Sequence, residues 1–292
     1  MRKITQLAQI ACIWEACAPK PGNVNRYNDF ADTSLEDYLL SALAIGPALD
    51  NAGRAGIGRT VFRAVRDTRR FVQSNTNLGI ILLLAPLVKA CLSSPKYTQA
   101  EDSLKWNMAR LRRSLNSVLN SLTVEDARKA YSAIRIARPG GLGQVSEADV
   151  SAEPPITLLQ AMALAKDRDA IACEYVTDFA ITFETGLPAL RRALSVRDDF
   201  PAAVVQTFLT ILKHVPDSLI ERKKGPDSAL QVSQWAGEVL AEGGIFTRRG
   251  QARMAEMDHA LRDATHSLNP GTTADLTTAA VFLALLELPD SY

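Results

Sequence analysis

Apolar residues recur along this chain at three- and four-residue intervals, broken by short polar stretches rich in glycine, proline and asparagine. That spacing belongs to the α-helix, in which positions i, i+3 and i+4 share a face; alternating β-branched runs bounded by turns are scarce. Leu35, Leu39, Leu43 and Gly46 fall on one face of a helix expected over residues 35 to about 48, with Thr33 and Glu36 spaced as its capping box. Residues 78–88 are almost wholly apolar and predict a buried core helix that contains Pro86. Thr123-Val-Glu-Asp126 opens a helix to about Ala137, ended by Arg138-Pro-Gly-Gly-Leu-Gly143. A long helix with a break is predicted over 156–183, stopped by Gly186 and Pro188. Pro201 suits a first helical turn, and that helix ends near His214-Val-Pro216. Helices over 228–240 and 247–266 follow, and a last apolar one covers 276–286. Its start, Asn269-Pro-Gly-Thr-Thr-Ala-Asp275, places Thr272 as N-cap and Asp275 in the capping-box position three residues on. No fixed-period repeat and no low-complexity linker divides the chain, so the expected architecture is one all-α domain spanning residues 1–292.

Composition narrows the function. Lys and Arg total 33 against 32 Asp and Glu, a net charge of +1, which argues against a dedicated nucleic-acid surface. Cys12, Cys17, Cys91 and Cys173 are scattered with no Cys-x-x-Cys spacing, as in a reduced cytoplasmic protein without a zinc site. No secretory signal precedes the first polar loop, and the 78–88 run is too short to span a bilayer, so a soluble protein is expected. The 47% hydrophobic content leaves room for a helical homodimer interface.

Four polar segments interrupt the helices. In Glu15-Ala-Cys-Ala-Pro-Lys-Pro-Gly-Asn23, Pro19 and Pro21 stiffen the chain around Lys20, and Gly22 admits a close ligand; a plain helix-ending turn is the alternative. Asn75-Thr-Asn-Leu-Gly79 offers amides and a glycine before the apolar helix, as ligand contacts or ordinary caps. Arg138-Pro-Gly-Gly-Leu-Gly143 can admit phosphate, although it is no Walker motif. Pro216-Asp-Ser-Leu-Ile-Glu-Arg-Lys-Lys-Gly225 clusters Arg222 and Lys223 beside a glycine. Asp167-Arg-Asp169 interrupts an apolar face, as an ion-pair network or part of a site. His214, His259 and His266 stand alone, with no Ser-His-Asp or Cys-His spacing. Carboxylates, amides and cations without a nucleophile suit a metal-bridged polyphosphate and charge stabilisation at a sugar carbon.

Pro19-Lys-Pro-Gly-Asn-Val24, Asn75-Thr-Asn-Leu-Gly79, Pro216-Asp-Ser-Leu-Ile220 with Arg222, and Asn269-Pro-Gly-Thr-Thr-Ala-Asp-Leu276 together resemble the triphosphoribosyl-dephospho-CoA synthase family. The segments come in the same order and span nearly the whole chain. The resemblance implies an all-helical, cytoplasmic, Mg²⁺-dependent glycosyltransferase that joins C1′ of ATP's ribose to a hydroxyl of dephospho-CoA as adenine leaves. One departure stands out. The family's second motif usually reads Asn-Thr-His-Lys-Gly, whereas this chain carries Asn77 and Leu78. That version is similar to the branch found with tetrahydromethanopterin-based one-carbon metabolism, so the ribitol of a pterin precursor is a rival acceptor. A mechanism consistent with these residues gives the expected roles. Glu15, Asp32 and Asp275 would hold Mg²⁺ on the triphosphate or deprotonate the acceptor; Lys20, Arg222 and Lys223 would neutralise phosphate. Gly22, Gly79, Gly140, Gly141 and Gly271 would let backbone N–H groups approach it, with Thr272 and Thr273 beside them. Asn23, Asn75 and Asn77 would bond sugar or base. A non-catalytic nucleotide-binding regulator and a ribosyl hydrolase remain the alternatives from other classes.

Overall fold

A computed structural model describes residues 4–93, 106–141 and 149–288. Its α-helices are α1 (Ile4–Cys17), α2 (Leu35–Ala44), α3 (Gly46–Asp50), α4 (Ile57–Thr68), α5 (Leu78–Ser93), α6 (Met108–Asn120), α7 (Val124–Ala137) and α8 (Leu158–Ala165). They continue with α9 (Ala170–Val176), α10 (Leu187–Val196), α11 (Phe200–His214), α12 (Ser218–Lys224), α13 (Pro226–Ala241), α14 (Arg248–Leu261) and α15 (Gly271–Glu287). A π-helical turn, Ile181–Gly186, precedes α10, and a 3₁₀ turn, Gly244–Phe246, precedes α14. Among the described residues the only β pairing is an isolated bridge between Asn25 and Asn28, so the fold is all-α as expected. No described helix is long and apolar enough to cross a membrane. The four cysteines form no disulfide.

The core is built around α15. Every residue from Leu276 to Leu286 is buried, because α1, α5, α10 and α11 wrap it. A helix apolar on all sides is stable only in that position. Its neighbour α5 is equally apolar and runs through Pro86 without breaking. Pro86 has no N–H for the carbonyl of Leu82, one turn earlier. The buried Tyr175 hydroxyl of α9 donates to that carbonyl at 2.7 Å and so repairs the ladder.

Carboxylates organise the helix starts. In α7, Thr123 and Asp126 form the expected capping box. The other oxygen of Asp126 accepts the Gly58 N–H of α4 at 2.9 Å, so one side chain ties two helix starts together. Gly58 is glycine for a packing reason: a Cβ there would lie 2.2 Å from the Asp126 carbonyl oxygen.

Several expected boundaries move. The capping box of α2 uses Ser34 and Asp37, one residue beyond Thr33 and Glu36, with the Ser34 N–H donating to Asp37 Oδ2 at 3.0 Å. That helix stops at Ile45, and Pro47 opens the separate α3. The long helix expected over 156–183 is instead α8, α9 and the π-helical turn. Asp169 caps α9, and the buried Glu174 accepts the Ile181 and Thr182 N–H groups of the π-helical turn. Gly186 and Pro188 do not stop a helix; Pro188 lies in the first turn of α10, and Gly186 lets that turn approach Ala280 of α15. Part of the polar 216–225 segment is helical, as α12. Helix α14 ends at Leu261 rather than His266. The starts of α7 and α5 and the first-turn Pro201 of α11 agree with expectation. Leu142 and Gly143 of the glycine-rich segment lie outside the described residues.

Candidate active site

A cleft of about 740 Å³ opens where the ends of α4, α7 and α12 meet the starts of α5, α9 and α15. Its size is that of an ordinary small-molecule site. The floor is the first turn of α15, and its capping corrects the sequence reading. Thr272 does not cap this helix: α15 begins at Gly271, and both threonines lie inside the first turn. The cap comes from Asp217, at the start of α12. Asp217 Oδ2 accepts the Thr273 N–H at 2.7 Å and its hydroxyl at 2.8 Å. Oδ1 accepts the Leu219 and Ile220 N–H groups of α12 at 2.9 and 3.1 Å. Burial raises the Asp217 carboxyl's pKa, and these four donors pull it back.

Asp275 has no capping role. Its carboxylate faces the cleft beside Gly79, where an added Cβ would lie 2.0 Å from Asp275 Oδ2. No group among the described residues donates a hydrogen bond to it. Screening from bulk water raises its pKa well above the usual range, the carboxylates of Glu15, Asp217 and Asp169 push it further, and Arg222 opposes them. A carboxylate with free lone pairs and raised basicity is equipped to accept a proton.

Cations surround it. Arg69, Arg138, Arg168, Arg222 and Lys223 all line the cleft. Arg222 Nη1 donates to Asp169 Oδ2 at 2.9 Å, so Asp169 pairs with Arg222 while also capping α9. Lys223 Nζ donates to the His266 carbonyl at 3.1 Å, and burial lowers its pKa while Asp217 and Asp263 oppose that. Gly140 and Gly141 lie on these two side chains: a Cβ would sit 3.2 Å from Lys223 Cε and 3.1 Å from Arg222 Cβ respectively. Gly141 has φ of 72°, a conformation glycine adopts without strain. Asp32 sits at the rim, 76% exposed and 3.9 Å from His266 Nε2, and Phe30 stacks on that imidazole. Of five buried side-chain polar atoms lacking a hydrogen-bond partner among the described residues, four belong to cleft residues: Arg69 Nη1, Ser74 Oγ, Arg222 Nε and Asn269 Oδ1. Such atoms mark where a ligand would complete the wall.

The expected residues divide. Asp32, Asn75, Asn77, Gly79, Gly140, Gly141, Arg222, Lys223, Gly271, Thr272 and Asp275 line the cleft. Asn75 is exposed and accepts the Leu78 N–H at 3.2 Å, whereas Asn77 is buried and donates to Thr68 Oγ1 at 3.1 Å. Glu15, Lys20, Gly22, Asn23 and Thr273 do not line it. Lys20, 1% exposed, pairs with Glu15 at 3.0 Å; burial raises the Glu15 carboxyl's pKa and this ammonium pulls it down. The Gly22 N–H donates to Asp258 Oδ1 at 2.7 Å and Arg262 Nη2 donates to the Asn23 carbonyl at 2.9 Å, anchoring the Pro-Lys-Pro-Gly loop to α14. The three expected metal carboxylates differ in setting: Glu15 is buried against Lys20, whereas Asp32 at the rim and Asp275 on the floor line the cleft. No group of three metal-ligating side chains occurs among the described residues. Arg69 and Ser74 were invisible to motif reading, since they sit in an ordinary polar helix end. Asp217 lay inside a recognised segment, but its partner Thr273 is 56 residues away.

All 292 residues match the ATP:dephospho-CoA triphosphoribosyl transferase (CitG) family. A Pseudomonas fluorescens (strain Pf-5) protein assigned as 2-(5''-triphosphoribosyl)-3'-dephosphocoenzyme-A synthase is 27% identical, over 99% of this chain and 93% of its own. A Pseudomonas aeruginosa (strain PAO1) protein with the same assignment is also 27% identical, over 96% and 89%. The crystal structure of an Archaeoglobus fulgidus protein assigned as triphosphoribosyl-dephospho-CoA synthase superposes with a TM-score of 0.65 and 27% identity, over 85% of this chain and 98% of that one. With its helical fold, its cationic cleft and a family match along its whole length, this chain belongs to the ATP:dephospho-CoA triphosphoribosyl transferase family and is a transferase.

Proposed function

We propose that this transferase moves the triphosphoribosyl group of ATP onto a hydroxyl of dephospho-CoA, with adenine as the leaving group and Asp275 as the general base. The observation that carries this reading is the Asp275 carboxylate, which faces a cation-lined cleft with no hydrogen-bond donor of its own. The C1′–N9 bond breaks with its electron pair going to adenine, and positive charge builds on the ribose. The acceptor oxygen bonds to C1′ as Asp275 takes its proton, which then neutralises the departing base. Arg222 and Lys223 suit the donor triphosphate, because charge-assisted donors favour anions. Asn75 at the cleft suits the sugar or base. Glu15 acts from behind by raising the basicity of Asp275, and Lys20 favours the ionised form of Glu15.

The donor set fits Mg²⁺ bound mainly through substrate phosphates, with Asp32 at the rim as the protein carboxylate, for this ion takes few protein ligands. Bound there, it would supply charge neutralisation on the triphosphate.

The test is adenine release from ATP, followed by chromatography with no acceptor, with dephospho-CoA, and with a reduced ribitol-bearing pterin precursor. Stimulation by dephospho-CoA is expected, and Asp275→Asn should lower the rate by about 10²–10⁴-fold while the protein stays folded. Full activity in that variant would remove Asp275 from the chemistry. Release without any acceptor would indicate a hydrolase, and tight ATP binding without release a regulator. One observation favours a pterin acceptor as second reading: Leu78 offers no ammonium at the start of α5, and the Asn77 amide is engaged by Thr68 and Ser41.

A further inference from the structure

The unpartnered donors of the cleft fall into two groups on different elements. One is Arg222 Nε, beside Lys223 on α12. The other is Arg69 Nη1 with Ser74 Oγ, on the connection from α4 to α5. Arg138 joins this second group for a reason of topology. Helices α4 and α7 start together at Asp126, and one turn later Lys129 lies 5.8 Å from the Phe62 ring, so the two run side by side in the same direction. They therefore end together. Each is followed at once by an arginine, Arg69 after α4 and Arg138 after α7, and both arginines line the cleft. The carbonyl ends of the two helices stabilise the cations there. Arg138 is held in the left-handed region with φ of 50°, uncommon for a residue other than glycine. Asp149 and Arg168 line the cleft as well, and both act on the Tyr131 hydroxyl from opposite sides of the charge balance.

A buried guanidinium nitrogen and a buried hydroxyl without partners call for acceptor oxygens, and a planar fork beside a second arginine suits phosphate. We infer that Arg69, Arg138 and Ser74 form a second anion subsite that takes the diphosphate of the acceptor, leaving Arg222 and Lys223 to the triphosphate of the donor. The naming of the two ligands rests on the transfer reading above. A reaction that joins two polyphosphate molecules in one cleft needs separate cations to hold like charges apart.

Isothermal titration of ATP and dephospho-CoA, each alone, into the wild-type protein, Arg69→Ala, Ser74→Ala and Arg222→Ala tests this. Arg69→Ala should weaken dephospho-CoA binding by about 10- to 100-fold and leave ATP within about twofold. Ser74→Ala, whose hydroxyl holds nothing in the fold, should weaken dephospho-CoA alone by about 3- to 10-fold. Arg222→Ala should show the reverse preference. Equal losses for both ligands in Arg69→Ala and Ser74→Ala, or no loss for dephospho-CoA in either, would overturn the subsite, as would a wild type that binds no dephospho-CoA. Adenine release separates the two ideas. A binding split without adenine release would sink the transfer reading and keep the subsite, whereas release without the split would do the opposite.

Discussion

At the scale of single residues, Asp217 does the most for the site without facing a substrate. Its two oxygens satisfy four donors from two helix starts, so the floor of the cleft and α12 are fixed to one carboxylate. Asp217→Ala should cost about 2–4 kcal/mol, read as a melting temperature lower by roughly 3–7 °C. Asp217→Asn should fall between, since the amide keeps one acceptor and turns N–H groups toward the other helix. Equal stability of all three proteins would show that water replaces the cap. The residue was legible as part of a motif and illegible as a cap, because local spacing reveals only caps within one helix. The same limit hid Arg69, which ends one helix, and displaced the expected capping role of Thr272. Lys20 was legible as a stiffly held cation, yet its counter-charge Glu15 draws it into the core, a pairing that the intervening Pro19 does not advertise.

At the scale of elements, the cleft depends on how closely α5 and α15 approach. Gly79 makes that approach possible, since a Cβ would lie 2.0 Å from Asp275 Oδ2 and 2.6 Å from Ile171 Cδ1. Gly79→Ala should therefore move the carboxylate and lower adenine release by about 10²-fold, with a stability loss of about 1–3 kcal/mol. Gly140→Ala is the comparison: its nearest neighbour is the flexible Lys223 side chain at 3.2 Å, so adenine release should change little. Helices with their own signals were legible, such as α7 from Thr123 and Asp126, and α11 from Pro201. The stretch from 156 to 183 was not, for its breaks arise from tertiary structure. Asp178 and Phe179 take positive φ values of 52° and 59° with no glycine to announce them, and Glu174 recruits the π-helical turn from inside the core.

At the scale of the molecule, buried carboxylates set the pH response. Burial pushes the Glu174 pKa from 4.5 up to about 7, against the pull of Thr182, Ile181 and Arg112. Between those values the folded protein keeps a proton that the unfolded chain has released, so stability falls as pH rises. Glu15, Asp217 and Asp275 are shifted in the same direction. The half-buried Asp263, held low chiefly by Ser267, has the opposite sign and acts only below the ordinary carboxylate range. Unfolding free energy should decline from about pH 5 to about pH 7.5, with Glu174 contributing on the order of 3 kcal/mol. Denaturant melts of Glu174→Gln across that range should show a shallower decline; an unchanged slope would mean that Glu174 is ionised throughout. Helical period and the scarcity of alternating β-branched runs made the all-α class legible, while the gathering of like charges became visible only once the helices were packed.

The burial of α15 has a consequence for synthesis. Every helix that wraps it is made earlier, so the emerging chain presents an unfilled apolar centre to the cell until residues 271–287 leave the ribosome. The helix that fills that centre also brings Asp275 and the floor of the cleft. Collapse of the core and assembly of the site are thus a single late event, and before it the nascent chain is inactive and a natural client for chaperones.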